Sequence, residues 1–373
     1  MNYYIDLFSP STYEAFINSN RDITGFRERQ KGIANKLEVG DKLICYVTKL
    51  SRWVGVLEVT SKSFQDNDPI FVPISDPYIV RFKVKSTIYL PLEKGIPIDS
   101  NICWDHLSFT KQLPKKSLAW TGMVRGSLRK IEEEDGEYLE KILLEQLNYP
   151  VVYPFGETDK KKLKALTVKT QNSKQVAVSI PDNEEATDNP TKQQQQSFQR
   201  ESIKIQALLA EIGERMNLKI WLPRNDRQRV IDIWQPKEKV LLDTLPLNYD
   251  DATLKTIENI DVLWIRGRSI VRAFEVEHTT LIYSGILRMA DLMALQPNLN
   301  ISAHIVAPVD RKEKVFQEIS RPVFAFLDRG PLAESCTFLS YESIQELSKE
   351  KRLEYMKDTV LEEYEEYAEE ADL

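Results

Sequence analysis

Along the first 150 residues the apolar positions fall in short runs, not long stripes. Leu43–Val47 (LICYV), Trp53–Val59 (WVGVLEV), Ile79–Val84 and Ser86–Leu90 are rich in β-branched and aromatic residues, which is the pattern of strands. Turn signals such as Val39-Gly40-Asp41 separate some of them. Helices are predicted at Ser11–Asn18, capped by Ser9 or Ser11, at Gly25–Leu37 and at Gly136–Leu147. Short strands, few helices and no long strand–helix–strand repeat predict a small β-barrel.

The pattern changes in the second half. Ile205, Leu208, Leu209, Ile212 and Met216 form one stripe of a helix predicted over Gln199–Met216. Strand-like runs follow at Lys219–Leu222, Ile260–Ile265, Ile270–Glu277 and Ile301–Val306, with helices at Ser284–Leu295 and Asp310–Ile319. That order predicts an α/β layer structure around one mixed sheet. Between the halves, residues 156–198 hold DKKKLK, a short alternating run (VAVSI) and PDNEEATDNPTKQQQQ. So polar a stretch cannot offset its ordering entropy by burial and reads as a flexible linker. The expected division is a β-rich domain over 1–155, the linker, an α/β domain over 199–340, and a helical acidic tail over 341–373.

Composition narrows the class. A chain of 373 residues has room for two or three domains. No apolar run reaches the roughly 18 residues of a membrane span, and MNYYIDLFSPS lacks the basic and apolar regions of a signal peptide, so a cytoplasmic protein is expected. Cys45, Cys103 and Cys336 are odd in number and far apart, and with 3 histidines in all a structural zinc site is disfavoured. The net charge of -7 speaks against a non-specific nucleic-acid coat but not against a nuclease, because much of the acid lies in Glu362–Asp372.

The chemistry concentrates in Ile260–His278, IDVLWIRGRSIVRAFEVEH. Two apolar strands flank a turn at Arg266-Gly267-Arg268. Glu275 and Glu277, two apart on the second strand, share one face of the sheet, and the hairpin can bring Asp261 beside them. Acids on so apolar a strand are costly unless solvated, paired or bound to a cation. Spacing alone therefore leaves two readings open: a divalent-cation site, or a solvent-facing strand end paired with Arg266 or Arg268.

From Gln199 to Pro331 this arrangement resembles the PD-(D/E)XK nuclease superfamily, with an acid at a strand start, a hairpin, a second acid motif, and flanking helices. His304–Phe324 resembles the later strand and helix of restriction-endonuclease-like domains. The resemblance implies an α/β sandwich with a central mixed sheet. It also implies Mg²⁺ (or Mn²⁺) on Asp261 and Glu275, Glu277 at the family's lysine position, and Glu211 as the accessory helix acid. Arg288, one turn into the next helix, is a candidate phosphate contact, and His278 is read as a packed histidine before a catalytic base.

The segment Ile23–Val59 resembles an EVE domain, a PUA-like barrel related to YTH readers, through Gly25-Phe26-Arg27, Val39-Gly40-Asp41, the strand through Tyr46, and Trp53-Val54-Gly55. The resemblance covers Met1 to Phe155 and implies a pocket for a flipped, modified base. Its candidate walls are Tyr46, Trp53 and Trp104 with Phe26 at the mouth, and Arg27 and Arg52 would steady phosphates. For any one of these aromatics, core packing is the more common role.

The two resemblances together imply a modification-dependent DNA endonuclease for defence against foreign DNA, reading a modified cytosine and cutting nearby, with a homodimer to supply one active site per strand. A non-catalytic modified DNA- or RNA-binding protein with a degenerate nuclease domain is the alternative.

Overall fold

The computed structural model describes residues 1–72, 76–115, 117–157, 159, 163, 166–169, 175–178, 192–247, 251–277, 282–295, 301–325, 327 and 330–368. They form two compact units, one within Met1–Ala165 and one within Leu166–Glu369.

In the first unit, β1 (Tyr3–Phe8), α1 (Pro10–Asn18), β2 (Ile23–Phe26), α2 (Lys31–Ala34), β3 (Lys42–Val47), β4 (Arg52–Val59), β5 (Phe64–Gln65) and β6 (Val80–Tyr89) come first. They are followed by β7 (Ile96–Pro97), α3 (Asn101–Trp104), β8 (Lys130–Ile131) and α4 (Glu133–Asn148). The strands make one eight-stranded sheet of order β2-β6-β4-β3-β1-β8, with β5 on β6 and β7 on β4, curled into a half-barrel.

Both faces of this sheet are covered, which is why LICYV is a continuous apolar run without alternation. Leu43, Cys45 and Val47 point into one core with α1's Tyr13 and Phe16. Ile44 and Tyr46 point into the other with α4's Leu139, Ile142 and Leu143. α4 approaches β1 so closely that a Cβ on Gly136 would come within 2.1 Å of the Tyr3 ring.

Three sequence expectations change here. The helix predicted at Gly25–Leu37 is the end of β2, paired antiparallel to β6, followed by short helical turns. Cross-strand burial of Phe26 wins over local propensity. The two strands predicted over residues 79–90 are one, β6, beside a register shift in β4 between Val56 and Leu57. β1 was not anticipated: Asp6 interrupts its apolar run, yet it sits inside the sheet, parallel to β3.

In the second unit, β9 (Leu166–Lys169) and β10 (Gln175–Val178) form a hairpin. α5 (Lys192–Arg215), β11 (Lys219–Trp221), α6 (Arg224–Trp234), α7 (Asp251–Ile257), β12 (Val262–Arg266), β13 (Ser269–Val276) and α8 (Ile282–Leu295) follow. β14 (Ser302–Ala307), α9 (Lys312–Ile319), α10 (Pro322–Ala325), β15 (Cys336–Ser340) and α11 (Tyr341–Ser348) complete it. The sheet order is β11-β12-β13-β14-β15, antiparallel through β13 and parallel from there on. This is the mixed sheet expected. The hairpin between β12 and β13 turns at Gly267, whose φ of +62° suits glycine.

The glutamine run expected in a linker is helical backbone, because α5 begins at Lys192. The expected acidic tail is also built in as far as residue 368. Leu347, Leu353 and Leu361 are core residues, and Glu366 bridges to Phe338 by two backbone hydrogen bonds. Buried Arg272 on β13 donates to Glu365 Oε1 at 2.5 Å and to Asp358 Oδ2 at 3.2 Å. Of the acids there, Asp358 and Glu365 are partners of buried Arg272, and Glu366 of Lys312.

Candidate functional site

The register of the β12–β13 hairpin decides where the acids stand. Val262 pairs with Phe274, so Asp261, just before β12, lies across from Glu275. Asp261 Oδ2 accepts the Val276 N–H at 2.8 Å. Side chains alternate along β13. Phe274 and Val276 join the core under α5 with Trp264, and Glu275 projects toward α8. Gly285 of α8 makes that approach possible: a Cβ there would sit 2.6 Å from Glu277 Oε1 and 3.2 Å from the Glu275 Cβ.

Arg288, less than one turn farther along α8, reaches back over the acids. Its Nε donates to Glu275 Oε1 at 2.7 Å and its terminal nitrogen to Glu275 Oε2 at 2.5 Å. The same terminal nitrogen is 4.0 Å from Glu277 Oε1. Glu275 is completely buried and Glu277 nearly so. Tyr341, at the start of α11, donates its hydroxyl to the Glu277 carbonyl at 3.3 Å.

Three carboxyls thus share one guanidinium. Burial pushes the Asp261 carboxyl up to about 6, against the pull of the Val276 N–H and Arg288. Burial and then the neighbouring Asp261 push Glu275 well above the usual carboxylate range. Burial, again with Asp261, pushes Glu277 up to about 7. Arg288 is held more firmly protonated by its hydrogen bonds to Glu275. Such raised values come first from burial, which disfavours the charged form, and either a proton or a hard cation relieves that condition. Asp261 and Glu275 are the residues that would hold it. As they stand, among the described residues no group of three or more His, Cys, Asp or Glu side chains is arranged to hold a metal ion.

The chain belongs to the family of the C-terminal domain of the type II restriction enzyme NmeDI. That family's model matches residues 179–368, just over half of the chain, and spans the whole acid group. The restriction enzyme NmeDI of Neisseria meningitidis serogroup C is 31% identical over 156 residues, 40% of this chain and 42% of that enzyme. The chain therefore spans less than half the length of this relative. A UPF0310 protein of Pyrococcus abyssi (strain GE5 / Orsay) is 26% identical over 154 residues, 38% of this chain and all of that protein. Among solved structures, human THYN1 in complex with 5-methylcytosine-containing DNA gives a TM-score of 0.27 at 14% identity, covering 38% of this chain and 97% of that one. The YTH domain of Zygosaccharomyces rouxii MRB1 with N6-methyladenosine RNA gives 0.28 at 15% identity, covering 38% and 86%.

Within the family domain, Asp261, Glu275, Glu277 and Arg288 are brought together and Glu211 is not. Nine residues separate Glu211 from Ser202, half a revolution of the helix, and Ser202 is the residue that bonds Tyr341. Glu211 consequently lies exposed on the far side of α5. The helix acid whose charge is felt at Tyr341 is Glu201, and Asp226 of α6 is felt at Asp261. Neither was singled out in the sequence. Gly285 and Tyr341 were missed too: the first carried a signal, a glycine in the opening turn of an apolar helix, and the second carried none. Arg288 was expected on a phosphate and instead clamps Glu275. His278 lies outside the described residues.

In the first unit, Tyr46, Trp53 and Trp104 fall in one cluster, and Phe26 falls in the other core across the sheet. All four are buried. Tyr46 and Trp53 meet edge to face at 4.7 Å, and Trp104 donates its ring N–H to the Leu113 carbonyl at 3.0 Å. The Trp53 ring N–H is buried with no hydrogen-bond partner among the described residues. Arg52 is buried and donates to the carbonyls of Leu92 at 3.1 Å and Tyr153 at 2.6 Å. Its guanidinium lies over the Phe155 ring. It anchors residues 153–155, and steadying a phosphate would require leaving them. Arg27 lies over the Tyr78 ring.

No helix among the described residues is long and apolar enough to cross a membrane.

Proposed function

We propose that this protein is a modification-dependent DNA endonuclease. The observation that carries the proposal is the acid group Asp261–Glu275–Glu277 with Arg288, set on one hairpin inside the restriction-enzyme family domain. In this reading the domain is of the PD-(D/E)XK type, and Asp261 and Glu275 hold Mg²⁺ or Mn²⁺. When bound, the ion supplies a polarised water and charge stabilisation at a phosphodiester. The chain's own residues do the rest. Asp261 is fixed by the Val276 N–H across the hairpin from Glu275. Glu277, whose carboxyl burial pushes up to about 7, stands beside the pair within 4.0 Å of Arg288. Arg288 brings the positive charge that the residue at 277 does not.

The first unit is the reader in this proposal. Its resemblance to EVE domains and the aromatic cluster of Tyr46, Trp53 and Trp104 support it, with a modified cytosine in DNA as the target. The unpartnered Trp53 N–H is the polar atom such a base would meet after the cluster opens. Joining a reader to a cutter raises the effective concentration of the cutter at the modified site. Cutting both strands then calls for two active sites, hence a homodimer on DNA.

A second reading, a binding protein for modified DNA or RNA with no cleavage, is favoured by one observation: both oxygens of Glu275 are taken by Arg288. One experiment separates the two. Wild type and Asp261→Ala are incubated with Mg²⁺ or Mn²⁺ and DNA that is unmodified, methylated or hydroxymethylated at cytosine. Cutting of modified DNA by wild type alone is the expected result. Selective binding without cutting by either protein would establish the second reading.

A further inference from the structure

The acid group contains one more carboxylate than a cation held by Asp261 and Glu275 needs, and that extra acid is Glu277. It also contains a guanidinium that occupies the oxygens the cation would use. The charges divide evenly if these two facts belong together. Asp261 and Glu275 balance a divalent ion, and Glu277 balances Arg288.

The geometry favours that division. Glu275 is fully buried, whereas the Arg288 side chain is 31% exposed, so the guanidinium is the partner with room to move. Its terminal nitrogen already stands 4.0 Å from Glu277 Oε1, and a small swing of the end of the side chain closes that gap. The Gly285 N–H bonds the Glu277 carboxyl, so the receiving oxygen is fixed in place by α8, the helix that carries Arg288. A guanidinium and a divalent ion on the same two oxygens would repel each other strongly in so desolvated a place.

We propose that Arg288 is an exchangeable clamp: it grips Glu275 in the metal-free protein and transfers to Glu277 when a divalent cation enters between Asp261 and Glu275. This inference rests on the reading of those two acids as a cation site. It gives Glu277 a positional role, as the post that receives Arg288. Arg288 in turn holds both oxygens of Glu275 in place when no ion is present.

The test needs no catalysis. The full chain is labelled with ¹⁵N-arginine, and the Arg288 Nε–Hε resonance, assigned by its loss in Arg288→Lys, is followed while Mg²⁺ is added. Mn²⁺ affinity is measured in parallel by calorimetry. In wild type the resonance should shift in step with Mg²⁺ binding. In Glu277→Gln, which removes the receiving charge at little steric change, the resonance should stay near its metal-free position and Mn²⁺ affinity should fall about tenfold. Asp226→Asn is the control for charge alone, because Asp226 is felt at Asp261 but is tied to Arg229 and cannot receive Arg288. It should weaken binding by no more than about twofold. Thermal melts of each variant check that it is folded.

Mn²⁺ binding that is lost in Asp261→Ala, with an Arg288 resonance that never moves, would overturn the exchange and leave the cation site standing. Equal weakening by Glu277→Gln and Asp226→Asn would do the same. Absence of any Mn²⁺ binding by folded wild type would remove the cation site and the exchange together.

Discussion

The aromatic residues of the first unit and the acids of the second are both gathered, but for opposite physical reasons. Tyr46, Trp53 and Trp104 come together with the hydrophobic effect behind them, and a shared core is where such side chains go by default. Asp261, Glu275 and Glu277 come together against desolvation and mutual repulsion, with Arg288 the arginine that pairs with them among the described residues. The same degree of clustering therefore carries different weight. A buried aromatic group is explained by folding alone. A buried acid group is not explained by folding alone, because its burial opposes folding, and that makes it the stronger candidate for a functional site.

The strongest way to break this contrast is to remove an acid whose loss should help folding if it does nothing else. Asp261→Asn keeps the shape and removes a charge that burial disfavours. The expected outcome is loss of at least about a hundredfold in cleavage rate with an unchanged or raised melting temperature. A variant that cuts DNA at the wild-type rate would reduce the acid group to a structural curiosity.

How much of this was legible in the sequence follows the same division. The β12–β13 hairpin was readable because two apolar runs flank a glycine turn, and the shared face of Glu275 and Glu277 follows from a period of two. The position of Glu211 was not, because a helix stripe fixes which residues face inward but not which sheet face the helix covers. α5 packs on the Phe274 and Val276 face and the acids project from the other, which only the assembled layers reveal. Arg52 misled for a related reason. A basic residue beside an exposed-looking Lys49–Arg52 run reads as a phosphate contact, yet its partners are the carbonyls of residues 92 and 153, far off in sequence. Local pattern carried the elements, and long-range partners decided the roles.

On the aromatic side, Trp53→Ala sharpens the comparison. If Trp53 is a core residue, the first unit should lose about 3–5 kcal/mol of stability, seen as a large fall in its melting temperature. If it is a wall of an open pocket, stability should hold and modified-DNA binding should vanish. A smaller effect of the same kind is expected at Arg52, where Arg52→Met removes the hydrogen bonds to Leu92 and Tyr153. A loss of about 1–3 kcal/mol in stability is expected, with the salt dependence of DNA binding unchanged. A salt slope lowered by about one would return Arg52 to the phosphate backbone.

The smallest effect is the one that reads the burial of the acids most directly. Folded Asp261 and Glu277 keep their protons to about 6 and about 7, whereas the unfolded chain releases them at about 4. Between those limits the folded state binds more protons than the unfolded one, so the metal-free protein should lose stability as pH rises through the window. A divalent ion competes with the same protons, and its affinity should rise over that range. The melting temperatures with and without Mn²⁺ should therefore separate progressively from about pH 5 to pH 8. Asp261→Asn should flatten most of that separation, and variants at Trp53 or Arg52 should leave it intact. If the wild-type curves ran parallel across the window, the acids would be titrating without an ion to receive, and the group would be as self-sufficient as the aromatic core.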